Sequence, residues 1–246
     1  MTTARRDGPV ITRDMLREGG IERLIGDTVP GLRVLTEGER AASLTGLLAR
    51  RPDRGQGAWV FAYGSLIWNP AIHTTEQRFA RVHGWHRSFC LSTLAGRGSP
   101  ELPGLVLGLD RGGACAGAAL LIAEAKLEEE LLILWRREML SGSYKPRWVA
   151  VRDQTGVPFG HAIAFTIRRE GHWYAGGLGE DEVIRRLALA RGALGSSADY
   201  LFQTRDGLRS LGIEDRRIER LAAQVEALRQ SPTEDATTED ATRPAT

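Results

Sequence analysis

Several things that would place a chain in a special class are missing from this one. Of its 246 residues only two are cysteine, Cys90 and Cys115. That excludes a disulfide-built scaffold. Each thiol lies in an apolar, strand-like segment, so the pair reads as buried and reduced, as in a cytoplasmic protein. No long hydrophobic run is present: the apolar stretch 118–123 is far too short to cross a bilayer. Residues 1–20 mix charges of both signs without an apolar run, which predicts no signal peptide and no membrane partner. Charge of one sign is also lacking, with Lys+Arg 33 against Asp+Glu 31. Without a basic block or interleaved aromatics, no nucleic-acid groove is expected. The histidines (His73, His83, His86, His161, His172) show no metal-ligand spacing, alone or with the cysteines, so no metal is expected. The Gly64-Ser65 turn lacks the spacing of a P-loop or a dinucleotide fingerprint, so phosphate binding is not implied. What remains is an ordinary globular composition, 42% hydrophobic and 26% charged, read as a soluble chain, taken as a monomer.

Three zones divide the chain. Residues 1–55 read as a helical N-terminal extension. Thr12 can cap a segment running to about Ile25, and Thr36 with Glu39 forms a capping box ahead of Ala41, Leu44, Leu47 and Leu48. Residues 56–230 read as the functional domain. Strand-like runs are expected at Trp59–Tyr63, Val82–Ser92, Leu105–Asp110, Cys115–Ile122, Trp148–Arg152 and Phe159–Ile167. A strong helix at Glu124–Met139 interrupts them, and helices near Glu182–Leu194, Ser197–Leu211 and Asp215–Arg229 follow. This order predicts an α+β fold with a mixed sheet or partly closed barrel. Residues 231–246 have no large apolar side chain and read as a disordered tail that can be dispensed with.

Chemistry is concentrated in two places. One is the run Tyr63-Gly64-Ser65-Leu66-Ile67-Trp68, where an apolar strand meets a glycine turn. Successive N–H groups beyond such a turn can hold a carboxylate or an oxyanion, although a plain strand-ending turn fits the same residues. The other is the helix around Glu138. At about 100° per residue, Leu127, Leu131, Leu134 and Glu138 fall within roughly 60° of one another. Glu138 thus lies in the apolar stripe, while Glu129, Glu130, Arg136 and Arg137 belong to the exposed arc. Burial would raise the pKa of such a carboxyl and suit it to taking and returning a proton. A helix-end glutamate reaching solvent, or paired with an arginine, is the plain alternative. Arg87 and Arg97 flank a strand and a glycine turn as candidate carboxylate binders, Tyr144 follows the Glu138 helix, and Tyr200 opens a later one.

Taken together these segments resemble the ChaC-like γ-glutamylcyclotransferases. WVFAYGSLIWNP (59–70), GWHRSFCL (84–91), WRREMLSGSY (135–144) and ADYLF (198–202) match in order and spacing, and the likeness spans about Thr12 to Leu228. The resemblance implies a γ-glutamyl cyclotransferase-like fold and cofactor-free cleavage of glutathione to 5-oxoproline and cysteinylglycine. It places the catalytic glutamate on Glu138, the γ-glutamyl-binding loop on Tyr63 to Trp68, and a site-lining tyrosine on Tyr200. Many animal members carry Gly-Gly-Tyr after the catalytic helix, where this chain has Ser141-Gly142-Ser143-Tyr144. Two other readings fit the same residues: a cyclotransferase for a different γ-glutamyl compound, and a non-catalytic regulator linked to cation transport.

Overall fold

The structure, a computed structural model, describes residues 8–29 and 32–231. The expected disordered tail lies outside them, apart from Ser231. Thr12 caps the first helix as expected, accepting the Met15 N–H at 3.1 Å. The single helix expected there is two, α1 (Arg13–Arg17) and α2 (Gly20–Thr28). Gly19 separates them at φ +67°, a left-handed conformation that ends an α-helix. The Thr36 capping box opens α3 (Glu37–Leu48): Thr36 Oγ1 accepts the Glu39 N–H, and the Thr36 N–H donates to Glu39 Oε2 at 2.8 Å.

Five strands form a closed barrel in the order β1-β3-β2-β4-β5: β1 (Ala58–Ala62), β2 (Glu76–Thr93), β3 (Gly104–Ile122), β4 (Tyr144–Arg152) and β5 (Pro158–Ile167). A parallel β1–β5 pairing closes it, so no open edge is left between these two strands. The two strands expected at Leu105–Asp110 and Cys115–Ile122 are one. Gly112 and Gly113 do take positive φ, but the β2–β3 ladder runs past them with an irregularity between His83 and Trp85. The glycines bend the ribbon without ending it.

The remaining helices are α4 (Ser65–Trp68), α5 (Leu127–Glu138), α6 (Glu180–Leu189), α7 (Ser197–Ser210) and α8 (Arg216–Gln230). α6 stops short of the expected Leu194 because Ala190 is extended and leads into a hairpin, β6 (Arg191–Gly192) with β7 (Gly195–Ser196). Alternation along the strands sorts the apolar side chains into two cores. One collects residues from all five strands, including Phe61, Leu107 and Ala164, and continues onto Leu187, Leu201 and Leu221 of α6 to α8. The other lies between β1, β3, β5 and the helices α3 and α5, around Leu131, Leu134, Trp135 and Phe165. Each fully buried side chain of this size contributes about 1.5–3 kcal/mol. Packing of this kind fixes the end of α5, where Glu138 sits.

The face of α5 read as exposed is corrected at two positions. Glu130 is 0% exposed and Arg137 is 9% exposed. A helical wheel cannot anticipate this, because the cover comes from elsewhere in the chain. Arg13 of α1 forks onto Glu130, whose Oε2 also accepts the His73 N–H at 3.0 Å. Arg137 is held by the turn after β1. Cys90 and Cys115 are both free and buried, as expected.

Candidate active site

Strand β1 carries Tyr63 to the end of the barrel, and the chain then turns at Gly64 into the single turn of α4. Glycine is needed here for space. A Cβ on Gly64 would stand 2.9 Å from the Tyr200 hydroxyl and 3.3 Å from Leu107 Cδ1. The Tyr63 hydroxyl donates to the Phe165 carbonyl at 2.7 Å, and the Tyr144 hydroxyl donates to the Leu107 carbonyl at 2.7 Å. Trp68 meets Tyr200 edge-on and donates from its indole to Thr204 Oγ1 at 3.3 Å.

Glu138 enters from the last turn of α5, with its side chain 12% exposed. Burial pushes its carboxyl above the ordinary glutamate value, and the nearby Arg137 charge opposes that rise without cancelling it. Burial likewise raises the hydroxyls of Tyr63, Tyr144 and Tyr200, and the negative charge of Glu138 adds to this. All three phenols therefore stay protonated, those of Tyr63 and Tyr144 with their protons committed to the Phe165 and Leu107 carbonyls. Arg137 joins the two regions that the sequence singled out. Its Nε lies 3.1 Å from Glu138 Oε1, one terminal nitrogen donates to the Asn69 carbonyl at 2.5 Å, and the other to Ser65 Oγ at 2.8 Å.

These groups line a cavity of about 220 Å³. Its polar lining includes Ser65, Arg97, Arg137, Glu138, Tyr144 and Tyr200. The Arg97 guanidinium stands over the Tyr200 ring, 5.8 Å from its centroid, and burial lowers its pKa. Residues 8–11, Ile21, Ile25, Leu32 and Val34 of the N-terminal extension also line it, and the Asn69 side chain donates to the Ile11 carbonyl at 3.0 Å.

Of the residues singled out in the sequence, Ser65, Trp68, Arg97, Glu138, Tyr144 and Tyr200 share this cavity. Tyr63 and Gly64 stand behind it, Leu66 is buried in the second core, and Ile67 packs against both cores. Arg87 is not brought to the cavity. It is 6% exposed, and its guanidinium holds the Tyr63 carbonyl, the Ala116 carbonyl and Asp215, so it clamps the barrel end to α8. Arg137 is the residue missed. A carboxyl placed in an apolar stripe calls for a nearby partner, and the arginine beside it in sequence was the available signal.

Residues 58–228 match the family model described as ChaC-like protein. The glutathione-specific γ-glutamylcyclotransferase of Escherichia coli (strain K12) is 39% identical over 219 residues, 89% of this chain and 94% of the relative. Glutathione-specific γ-glutamylcyclotransferase 1 of Homo sapiens is 30% identical over 177 residues, 70% of this chain and 79% of the relative. A crystal structure of the γ-glutamyl cyclotransferase specific to glutathione from yeast shares the fold. It has a TM-score of 0.65 at 21% identity, covering 72% of this chain and 98% of that one. With a family match over most of its length, a span that includes the turn after β1 and the helix α5, this chain belongs to the ChaC-like family.

Proposed function

We propose that this protein degrades glutathione by cyclising its γ-glutamyl group, releasing 5-oxoproline and cysteinylglycine, with Glu138 as the general acid/base. The observation that carries the reading is a carboxyl with raised pKa in the wall of a cavity, tied through Arg137 to the turn after β1. The names of the relatives at 39% and 30% identity supply the substrate class.

The chemistry suits this small set of groups. The attacking α-amine and the γ-carbonyl belong to one molecule, so folding the substrate supplies most of the proximity. Glu138 takes a proton from the α-ammonium, the amine closes a five-membered ring on the γ-carbon, and the same carboxyl returns a proton to the departing nitrogen. Arg97 and Arg137 supply positive charge for the substrate's α-carboxylate. Of the first N–H groups of α4, that of Ile67 is taken by the Gly64 carbonyl, which leaves those of Ser65 and Leu66 for the oxyanion. The plain alternative for Glu138, pairing with an arginine, coexists with this role, because the pair does not overcome the rise caused by burial.

The test is 5-oxoproline release from glutathione by the pure protein and its Glu138→Gln variant. Turnover in the variant should fall at least ~10²-fold, about 2.7 kcal/mol of barrier. The linkage sign follows from the raised carboxyl. Its stabilising contribution is complete below the ordinary glutamate value and is lost as pH rises through the raised one. At neutral pH the glutamine variant should therefore melt no lower than the parent. A glutamine variant with full turnover would remove Glu138 from the mechanism.

A further inference from the structure

Residues 8–11 line the cavity and are fastened at both ends. At one end Gly8 packs closely on the β6–β7 hairpin, where a Cβ would stand 2.7 Å from the Leu194 carbonyl carbon and the Gly195 nitrogen. At the other, the Ile11 carbonyl accepts the Asn69 side-chain N–H at 3.0 Å. Asn69 is half-buried and closes the single turn of α4, its own N–H donating to the Ser65 carbonyl at 2.9 Å. Its carbonyl accepts Arg137, which also donates to Ser65 Oγ and lies 3.1 Å from Glu138. One side chain thus links the N-terminal extension to the arginine beside the carboxyl.

The backbone just beyond Asn69 is strained. Ala71 has φ +54°, the only positive value at a non-glycine among the described residues, and a side chain with a Cβ adopts it at a cost. Pro70 between them has no N–H with which to hold the turn. Such a turn keeps its shape only where its surroundings hold it. Downstream, Ile72 is buried in the second core and the His73 N–H is bonded to Glu130. Upstream, the Asn69 side chain is bonded to Ile11. Without that bond the turn can relax, and the carbonyl that holds Arg137 moves with it.

We propose that Asn69 is a positioning residue, through which the N-terminal extension sets Arg137 and, with it, Glu138. The proposal rests on the cyclotransferase reading above. Its part is geometric: Asn69 fixes the carbonyl that Arg137 grips, and both proton transfers stay with Glu138. The ionisable groups around Glu138 are Arg137 on its own helix, Tyr63 after β1, Tyr144 on β4 and Tyr200 on α7, with Arg97 against Tyr200. Of these, Arg137 opposes the rise that burial imposes on the Glu138 carboxyl. Loosening Arg137 lets that carboxyl rise further.

The experiment measures 5-oxoproline release from glutathione across pH by the full chain and by its Asn69→Ala and Asp153→Ala variants. Asp153 is the control. Its carboxylate accepts the Thr155 and Val157 N–H groups in the turn after β4, beyond the end of that strand opposite Tyr144. Both variants lose native hydrogen bonds and should melt below the parent. In Asn69→Ala kcat should fall at least ~10-fold, the scale of a misplaced catalytic group, with KM changed by less. Its acid limb of kcat/KM should move to higher pH, because Arg137 no longer opposes the effect of burial on Glu138. Asp153→Ala should keep the parent's kcat and limb. Asn69→Ser, with a side chain too short for Ile11, gives the same readout if the alanine variant folds poorly. An Asn69 variant that melts lower but keeps the parent's kcat and limb overturns the positioning role. A change in KM alone also overturns it, because it would make Asn69 a substrate contact. Absence of 5-oxoproline from the parent overturns the cyclotransferase reading, and this role with it.

Discussion

Replacing Arg13 by alanine removes the main tie between the N-terminal extension and α5. Glu130 is fully buried, and burial alone would pull its carboxyl up. The Arg13 hydrogen bond, the His73 N–H and the Arg13 charge together hold it below the ordinary glutamate value. In the Arg13→Ala variant the carboxylate keeps the His73 N–H at 3.0 Å but loses its forked partner. Breaking a buried pair from one side costs about 3–5 kcal/mol. The Arg13 side chain keeps 16% exposure, so solvent screens part of the loss and roughly 2–3 kcal/mol is expected. For a chain of this size that lowers Tm by about 4–12 °C. A depressed carboxyl contributes stability above its unfolded value and loses it as pH falls through the native one. The deficit should therefore be largest near neutrality and shrink in acid, where Glu130 is protonated in the variant. Arg17→Ala is the control: Arg17 meets Glu129 across an exposed pair, with side chains 46% and 40% exposed, and should barely move Tm. Thermal melts of both variants at two pH values decide the matter. A deficit equal to that of Arg17→Ala, or one that does not shrink in acid, would refute the buried pair as the anchor.

Gly64→Ala should cut kcat/KM at least ~10-fold, because the new Cβ meets the Tyr200 hydroxyl at 2.9 Å, while overpacking costs about 1–3 kcal/mol of stability. Full activity in a folded variant would show that Tyr200 can move aside freely. The acid limb of kcat/KM should lie above the ordinary glutamate value of about 4.3, with activity lost as pH falls through it, and Glu138→Gln should abolish that limb. A parent limb at or below that value would contradict the burial of Glu138. Activity should survive EDTA and dialysis, since neither histidines nor cysteines have ligand spacing in the sequence. Loss that zinc or magnesium restores would overturn this.

Local signals in the sequence were strong where the physics is local. The Thr36 capping box, the Thr12 cap and the apolar stripe of α5 each depend on residues within a few positions, and each is present as read. A partly closed barrel was expected, but which strands close it was out of reach, because pairing β1 with β5 joins Trp59 to Ala162, about a hundred positions apart. The same limit hid the burial of Glu130 and Arg137, whose partners are Arg13, Ser65 and Asn69. That Glu138, Tyr144 and Tyr200 line one cavity was legible from the apolar stripe around Glu138 and from the motifs that hold the two tyrosines. Arg87 was misplaced since an arginine at the end of a strand gives no sign of whether it faces a ligand or the chain's own carbonyls.

The N-terminal wall of the cavity has a bearing on how such proteins diverge. Residues 58–228 match the family model and contain Glu138 and the turn after β1, whereas the wall at residues 8–34 lies outside that match. The residues proposed for proton transfer and one part of the cavity lining are thus written in separate stretches of the sequence. Substitution in the first stretch can reshape that part of the lining while the residues proposed for proton transfer stay as they are.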